Sequence, residues 1–311
     1  MRIPVIAISS LVVCAAVATF IPLTVIQISY WKDGITVWKR AVDLTQNNFA
    51  AHKRLGLALS TEKRFDEAFH EFQEAVRAKP DDSNANWLLA RQYHFKGLLD
   101  EAIVYYQKTL ELDPAFARAQ FNLGLAYYQS GQLDEAIVHL QKGLEIEPTN
   151  AGGQNDLGVA FFKKGQMDEA IIHLQKAVEY ETTNVNAHST LALIFFQKGQ
   201  LDEAIVHFQA VAKYEPSGSA ECNLGSAYYQ NGELDEAILH FEKAAKYQPN
   251  DPIIQDDMGA AFLKKGQSDE AIEKFQEALK LNPDFAEARA GLNSALKLKS
   301  QTMTSTNQPP K

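Results

Sequence analysis

The chain is poor in the residues that build chemistry at a fixed point. Only two cysteines, Cys14 and Cys222, occur in 311 residues, 208 positions apart, which supports neither a disulfide framework nor a cysteine zinc site. Cations are outnumbered, 30 Lys and Arg against 39 Asp and Glu, for a formal charge of -9. Phosphate binding draws on clustered Lys and Arg, so no nucleic-acid partner is expected. No Gly-rich phosphate loop, HExxH, GxSxG, CxxC or Asp-x-Asp motif is present. The groups that a nucleophile, a metal-bound water or a nucleotide would need are assembled by no local motif. The sequence therefore predicts no enzyme, no cofactor, no metal and no small-molecule substrate.

Long apolar runs are absent too, with one exception. Ile3 to Ile28 is 26 residues without a charge, and a helix of that length exceeds the roughly 30 Å hydrocarbon core of a bilayer. Arg2 precedes the run, and Tyr30, Trp31 and Lys32 form an aromatic and basic edge after it. Residues 1–30 are therefore expected to be a transmembrane signal anchor, placing the protein as a single-pass component of a bacterial inner membrane with the rest of the chain outside the cytoplasm. A signal peptide cleaved near Ala16-Val17-Ala18 is the alternative.

What the chain has in abundance is self-similarity. The phrase GLLDEAI at Gly97 returns as GQLDEAI at Gly131, GQMDEAI at Gly165, GQLDEAI at Gly199, GELDEAI at Gly232 and GQSDEAI at Gly266, with a degenerate KRFDEAF at Lys63; the spacings are 34 residues except for one of 33. A fixed period of this size means stacked supersecondary units. Within each unit two amphipathic helices flank the glycine, which ends the first in a left-handed conformation; Asp and Glu open the second, at the positive end of its dipole. One second-helix position is always alanine (Ala68, Ala102, Ala136, Ala170, Ala204, Ala237 and Ala271), and a first-helix position is always glycine or alanine. Small residues there predict a close helix crossing that a larger side chain would overpack.

With those small, aromatic and proline positions in register, the chain resembles the tetratricopeptide repeat family. The resemblance implies an all-α, right-handed solenoid of seven helix-turn-helix units at 49–82, 83–116, 117–150, 151–184, 185–217, 218–251 and 252–285. Residues 31–48 are expected to be a capping half-repeat, 286–300 a capping helix with Leu292 and Leu296 inward, and 301–311 a disordered tail. The arrangement of an apolar segment, Trp31-Lys32-Asp33-Gly34, Trp38 and then repeats is also similar to the C-terminal part of membrane glycosyltransferase–tetratricopeptide proteins, without their catalytic membrane domain.

In such repeats the first helices line a groove, and the resemblance implies partner contacts at Trp87, Arg91, Phe121, Asn122, Tyr128, Asn155, Phe162, Phe196, Asn223 and Tyr229. Asn122 and Asn223, with Asp156 and Asp257 in equivalent slots, resemble in part the asparagine ladder by which the repeats of O-linked N-acetylglucosamine transferase hold a peptide backbone. A column of His139, His173, His207 and His240 is expected to hold no metal, because zinc needs nitrogens about 2.0 to 2.1 Å from one ion while neighbouring helices lie about 8 to 10 Å apart; the imidazoles are expected on the outer face instead. The function expected is a membrane-anchored scaffold that holds a peptide or helix of a protein partner. The alternative is an accessory subunit of envelope polysaccharide or glycan assembly that positions a separate glycosyltransferase.

Overall fold

A computed structural model of the chain describes residues 33–306, with side chains to Gln301. Among these residues there are 16 helices and no strand. They divide into two compact units, one ending at Glu147 and one beginning at Pro148. In the first, α1 (Gly34–Leu44) packs on α2, and three pairs follow: α2 (Phe49–Thr61) with α3 (Phe65–Ala78), α4 (Ser83–Phe95) with α5 (Leu99–Leu112), and α6 (Ala117–Gln129) with α7 (Leu133–Ile146). The second holds α8 (Ala151–Lys163) with α9 (Met167–Tyr180), α10 (Val185–Gln197) with α11 (Leu201–Tyr214), α12 (Gly218–Asn231) with α13 (Leu234–Tyr247), α14 (Pro252–Lys264) with α15 (Ser268–Leu281), and the closing α16 (Ala286–Thr306).

The two helices of a pair start differently. Most first helices are capped by a side chain, as where Asn48, Asp82, Asn150 and Asn184 each accept from the backbone N–H three residues on. Second helices have no side-chain cap; they carry Asp and Glu in the first turn instead. That aspartate has a further partner. Asp66 pairs with Lys96, Asp168 with Lys198 at 2.6 Å and Asp235 with Lys265, so the start of a second helix is tied to the end of the following first helix. Such exposed pairs contribute about 0 to 1 kcal/mol each.

Between the helices, Gly131 at φ +81° donates to the Tyr128 carbonyl while Gln132 reaches back to Tyr127 O at 2.9 Å, a Schellman closure that recurs at each glycine of the phrase. The degenerate first copy makes the same turn with Lys63 at φ +60°, where a side chain costs about 1 to 2 kcal/mol.

The seven alanines of the second helices are all fully buried. What meets the small first-helix residue is mainly the large residue one turn beyond the alanine. A Cβ on Gly124 would stand 2.7 Å from Leu140 Cγ and 3.1 Å from Ala136 O, and one on Gly158 would stand 2.6 Å from Leu174 Cγ. At Gly56, Gly225 and Gly259 the opposing group is the ring of Phe72, Phe241 or Phe275.

Three expectations need correction. Leu296 is not inward: it is 47% exposed, and α16 buries Ala288 and Ala295 instead, on a face narrow enough for the Phe275 ring to sit against Gly291. α16 also runs on to Thr306, into the segment expected to be tail. The single-pass membrane placement is likewise corrected, since no helix among the described residues is long and apolar enough to cross a membrane; the Ile3 to Ile28 run lies outside those residues.

Candidate partner-binding face

First helices of successive pairs touch one another, α4 with α6 in the first unit and α8 with α10 and α12 with α14 in the second, so each unit has a face made of first helices. In the first unit the residues on it are committed to one another. Trp87 is only 9% exposed; its Nε1 donates to Asn122 Oδ1 at 2.9 Å on the next first helix, and Phe116 and the Arg91 guanidinium flank its ring at 5.6 and 4.8 Å. Phe121 fills the space over Gly143, where a Cβ would lie 2.6 Å from the ring. Of the residues expected to contact a partner, Trp87, Phe121 and Asn122 therefore hold the stack together. Arg91 is exposed and Tyr128 partly so. Lys53 turns to Asp82 at 3.6 Å.

In the second unit the positions of Trp87 and Phe121 are taken by Asn155, Ser189, Cys222 and Asp256. The buried Asn155 donates through Nδ2 to Asp156 Oδ1 at 3.2 Å, while its own Oδ1 is buried without a partner. Cys222 Sγ lies 3.7 Å from Asp257 Oδ2, a longer version of the Trp87–Asn122 link. Asp256 Oδ1 is also buried without a partner. Burial pushes all three carboxyls up from the usual range: Asp156 against its hydrogen bond from Asn155, Asp256 with help from Glu287, and Asp257 to about 6 with help from Asp256. Burial and the neighbouring Asp257 push the Cys222 thiol up to about 12, so it is no thiolate nucleophile.

Two turns further along the helices, Phe162, Phe196 and Tyr229 are partly exposed. Phe196 meets Phe208 edge-on at 6.4 Å, and Lys264 Nζ sits 4.4 Å over the Tyr229 ring. Asn223 is exposed. Cavities of about 400 and 520 Å³ lie elsewhere, beside α1.

The histidine column is not on the outer surface. Each imidazole is largely covered and bonds through Nδ1 to a first-helix residue 19 positions earlier: His139 to Gln120 and His173 to Gln154 at 2.8 Å, His207 to His188 at 2.9 Å, and His240 to Glu221 at 2.6 Å. Each also stacks on an aromatic ring, Tyr127, Phe161, Phe195 or Tyr228. In the first pair the chemistry is exchanged, with His52 on the first helix and Glu71 on the second at 2.7 Å. The first-helix partner often also holds the linking loop, as where Gln154 donates to Pro148 O and His188 Nε2 bonds Thr182 O at 3.1 Å. Sequence reading missed this row. Its signal was a second column of hydrogen-bonding residues, Gln120, Gln154, His188 and Glu221, 19 residues before the histidines. Among the described residues no group of three or more His, Cys, Asp or Glu could hold a metal ion.

Comparison with known proteins places this architecture. The TPR repeat profile matches residues 90–131, 124–165, 158–199, 225–266 and 259–300, and further tetratricopeptide repeat profiles match 31–83 and 185–217. No curated protein matches the chain. Among solved structures, MamA protein aligns with a TM-score of 0.50 at 29% identity, over 54% of this chain and 92% of its own. A tetratricopeptide repeat protein from Parabacteroides merdae aligns at 0.55 and 16% identity, over 81% of this chain and 100% of its own. A chain of the APC/C hetero-tetramer Cut9-Hcn1 aligns at 0.53 and 20% identity, over 84% and 52%. The last two likenesses concern the fold alone.

Proposed function

The chain belongs to the tetratricopeptide repeat family, and we propose that it is a scaffold that takes a peptide or helix of a partner protein on its first-helix face. The observation that carries this reading is the row of Phe162, Phe196 and Tyr229, partly exposed at one position of three successive first helices. Aromatic anchors beside small polar residues form the kind of surface that captures an extended or helical segment, rings supplying area and polar groups the register. The second unit is the better candidate, since its neighbouring positions are not filled by its own rings as they are at Trp87 and Phe121.

Photo-crosslinking tests the assignment. A photoreactive residue in place of the exposed Asn223 on α12 should give an adduct with the partner, while the same group in place of Val206, 60% exposed on the second helix α11, should give none. Adducts from position 206 alone would move the binding face to the second helices.

A further inference from the structure

The first-helix face of the second unit is rich in hydrogen-bond acceptors and short of donors. Asp156 on α8 and Asp256 and Asp257 on α14 stand on it, Glu287 of α16 lies close enough to raise Asp256, and α10 and α12 between them contain no Lys or Arg. Two acceptors are left over: Asn155, which is only 8% exposed, has no partner for its Oδ1 although its Nδ2 is committed to Asp156, and Asp256 Oδ1 has none either. Of the cations on the last turns of these helices, Lys264 of α14 is spent on the carbonyl and ring of Tyr229, and the equivalent Lys163 of α8 is exposed, two turns beyond Asp156. The corresponding positions of the first unit hold Lys53, Arg54 and Trp87, which are donors.

We infer that the segment this face receives is cationic, presenting Lys or Arg side chains to Asp156 at one end and to the Asp256–Asp257 pair at the other. Asp156 loses hydration, and Asp256 and Asp257 lose hydration and are crowded by neighbouring carboxylates as well; a cation beside each site relieves these costs and supplies the donors that the face lacks. Complementarity of this kind selects partners and register. The inference rests on the reading that first helices form the binding face, and deepens it by naming the chemistry of the ligand.

Labelled decalysine and decaglutamate peptides, titrated into the full chain and followed by fluorescence anisotropy, provide the test. Decalysine should bind and decaglutamate should not. The triple change Asp156→Asn, Asp256→Asn and Asp257→Asn should weaken decalysine by about tenfold or more, whereas the charge-matched Asp168→Asn, Asp202→Asn and Asp235→Asn on second helices should change it less than about twofold. Affinity should also fall as pH drops through about 6, where Asp257 takes up a proton beside Asp251, Asp256 and the Cys222 thiol. Equal losses from the two triples would mean that net charge alone attracts the peptide, and would overturn the inference, as would failure of decalysine to bind or equal binding of decaglutamate. If an uncharged peptide binds, is lost with Phe162→Ala, Phe196→Ala and Tyr229→Ala, and ignores the carboxamide triple, the cationic inference falls while the binding face stands.

Discussion

At one position of successive first helices the first unit places Trp87 and Phe121, and the second places Asn155, Ser189, Cys222 and Asp256. Both units use the same helix pairs, the same glycine turn and the same buried alanine, so the contrast is confined to what fills the face between neighbouring first helices. In the first unit Trp87 fills it against Phe116 and a donor meets an acceptor, Trp87 Nε1 to Asn122 Oδ1 at 2.9 Å, while Phe121 packs over Gly143 of its own pair. In the second, small polar groups line it and oxygens go unpartnered. One fold thus fills a position in two ways: a ring there packs into the stack, and small polar groups there leave oxygens without partners.

The sharpest way to break this contrast is truncation. Trp87→Ala should lower stability by about 3 to 5 kcal/mol, the usual cost of removing a buried aromatic, with an added loss from the orphaned Asn122. Ser189→Ala and Cys222→Ala, at the equivalent position, should cost under about 1 kcal/mol each. Denaturant titration reads all three, and similar costs would show that the second unit's residues are as structural as the first unit's.

A pH titration probes the second unit from another side. Burial, and then the neighbouring His188, hold His207 down to about 4 from an ordinary 6.5. The unfolded chain therefore takes up this proton first, so the stability involved is full above pH 6.5 and is lost as pH falls toward 4, by about 2 to 3 kcal/mol. Asp257 runs the other way: raised to about 6 from 3.8, its protonated form favours the fold, and that contribution is lost as pH rises from 3.8 through 6. In Asp257→Asn the acid loss should therefore stand out more steeply than in the parent chain, and His207→Gln should flatten it. Unfolding midpoints between pH 4 and 7 check both, and a profile untouched by either change would contradict these environments.

Positions shared by the two units should respond alike. Gly124→Ala and Gly158→Ala each push a methyl to within 2.7 Å of a buried leucine and should cost about 1 to 3 kcal/mol; Gln175→Ala, on an exposed face of α9, should be nearly silent. The smallest effect expected is a gain. Lys63→Gly relieves a left-handed residue at φ +60° and should add up to about 1 kcal/mol, the relief being partly offset by the greater freedom of glycine in the unfolded chain. Loss of stability there would mean that the lysine side chain has a role of its own.

Much of the fold was legible because it is written by local physics repeated seven times. The glycine turn, the acidic first turn and the small crossing residues each follow from a residue type at a fixed place. The face was harder to read. Periodicity says that Trp87, Phe121 and Asn155 occupy equivalent positions, but whether a ring stays on the surface or folds inward depends on its opposite number, such as Gly143 under Phe121. The histidine column was misread for the same reason. Its partners, Gln120, Gln154, His188 and Glu221, lie on another helix, and each column was read alone. Leu296 was placed inward by apolarity, when the spacing of Ala288 and Ala295 already marked the buried stripe of α16.

A partner segment is predicted to lie on the first helices of the second unit. Backbone amide exchange across the full chain, with and without saturating decalysine, addresses it directly. Protection gained on α8, α10, α12 and α14, with the second helices and the first unit unchanged, is the predicted result; protection on α9, α11 and α13, or on α4 and α6 of the first unit, would contradict it.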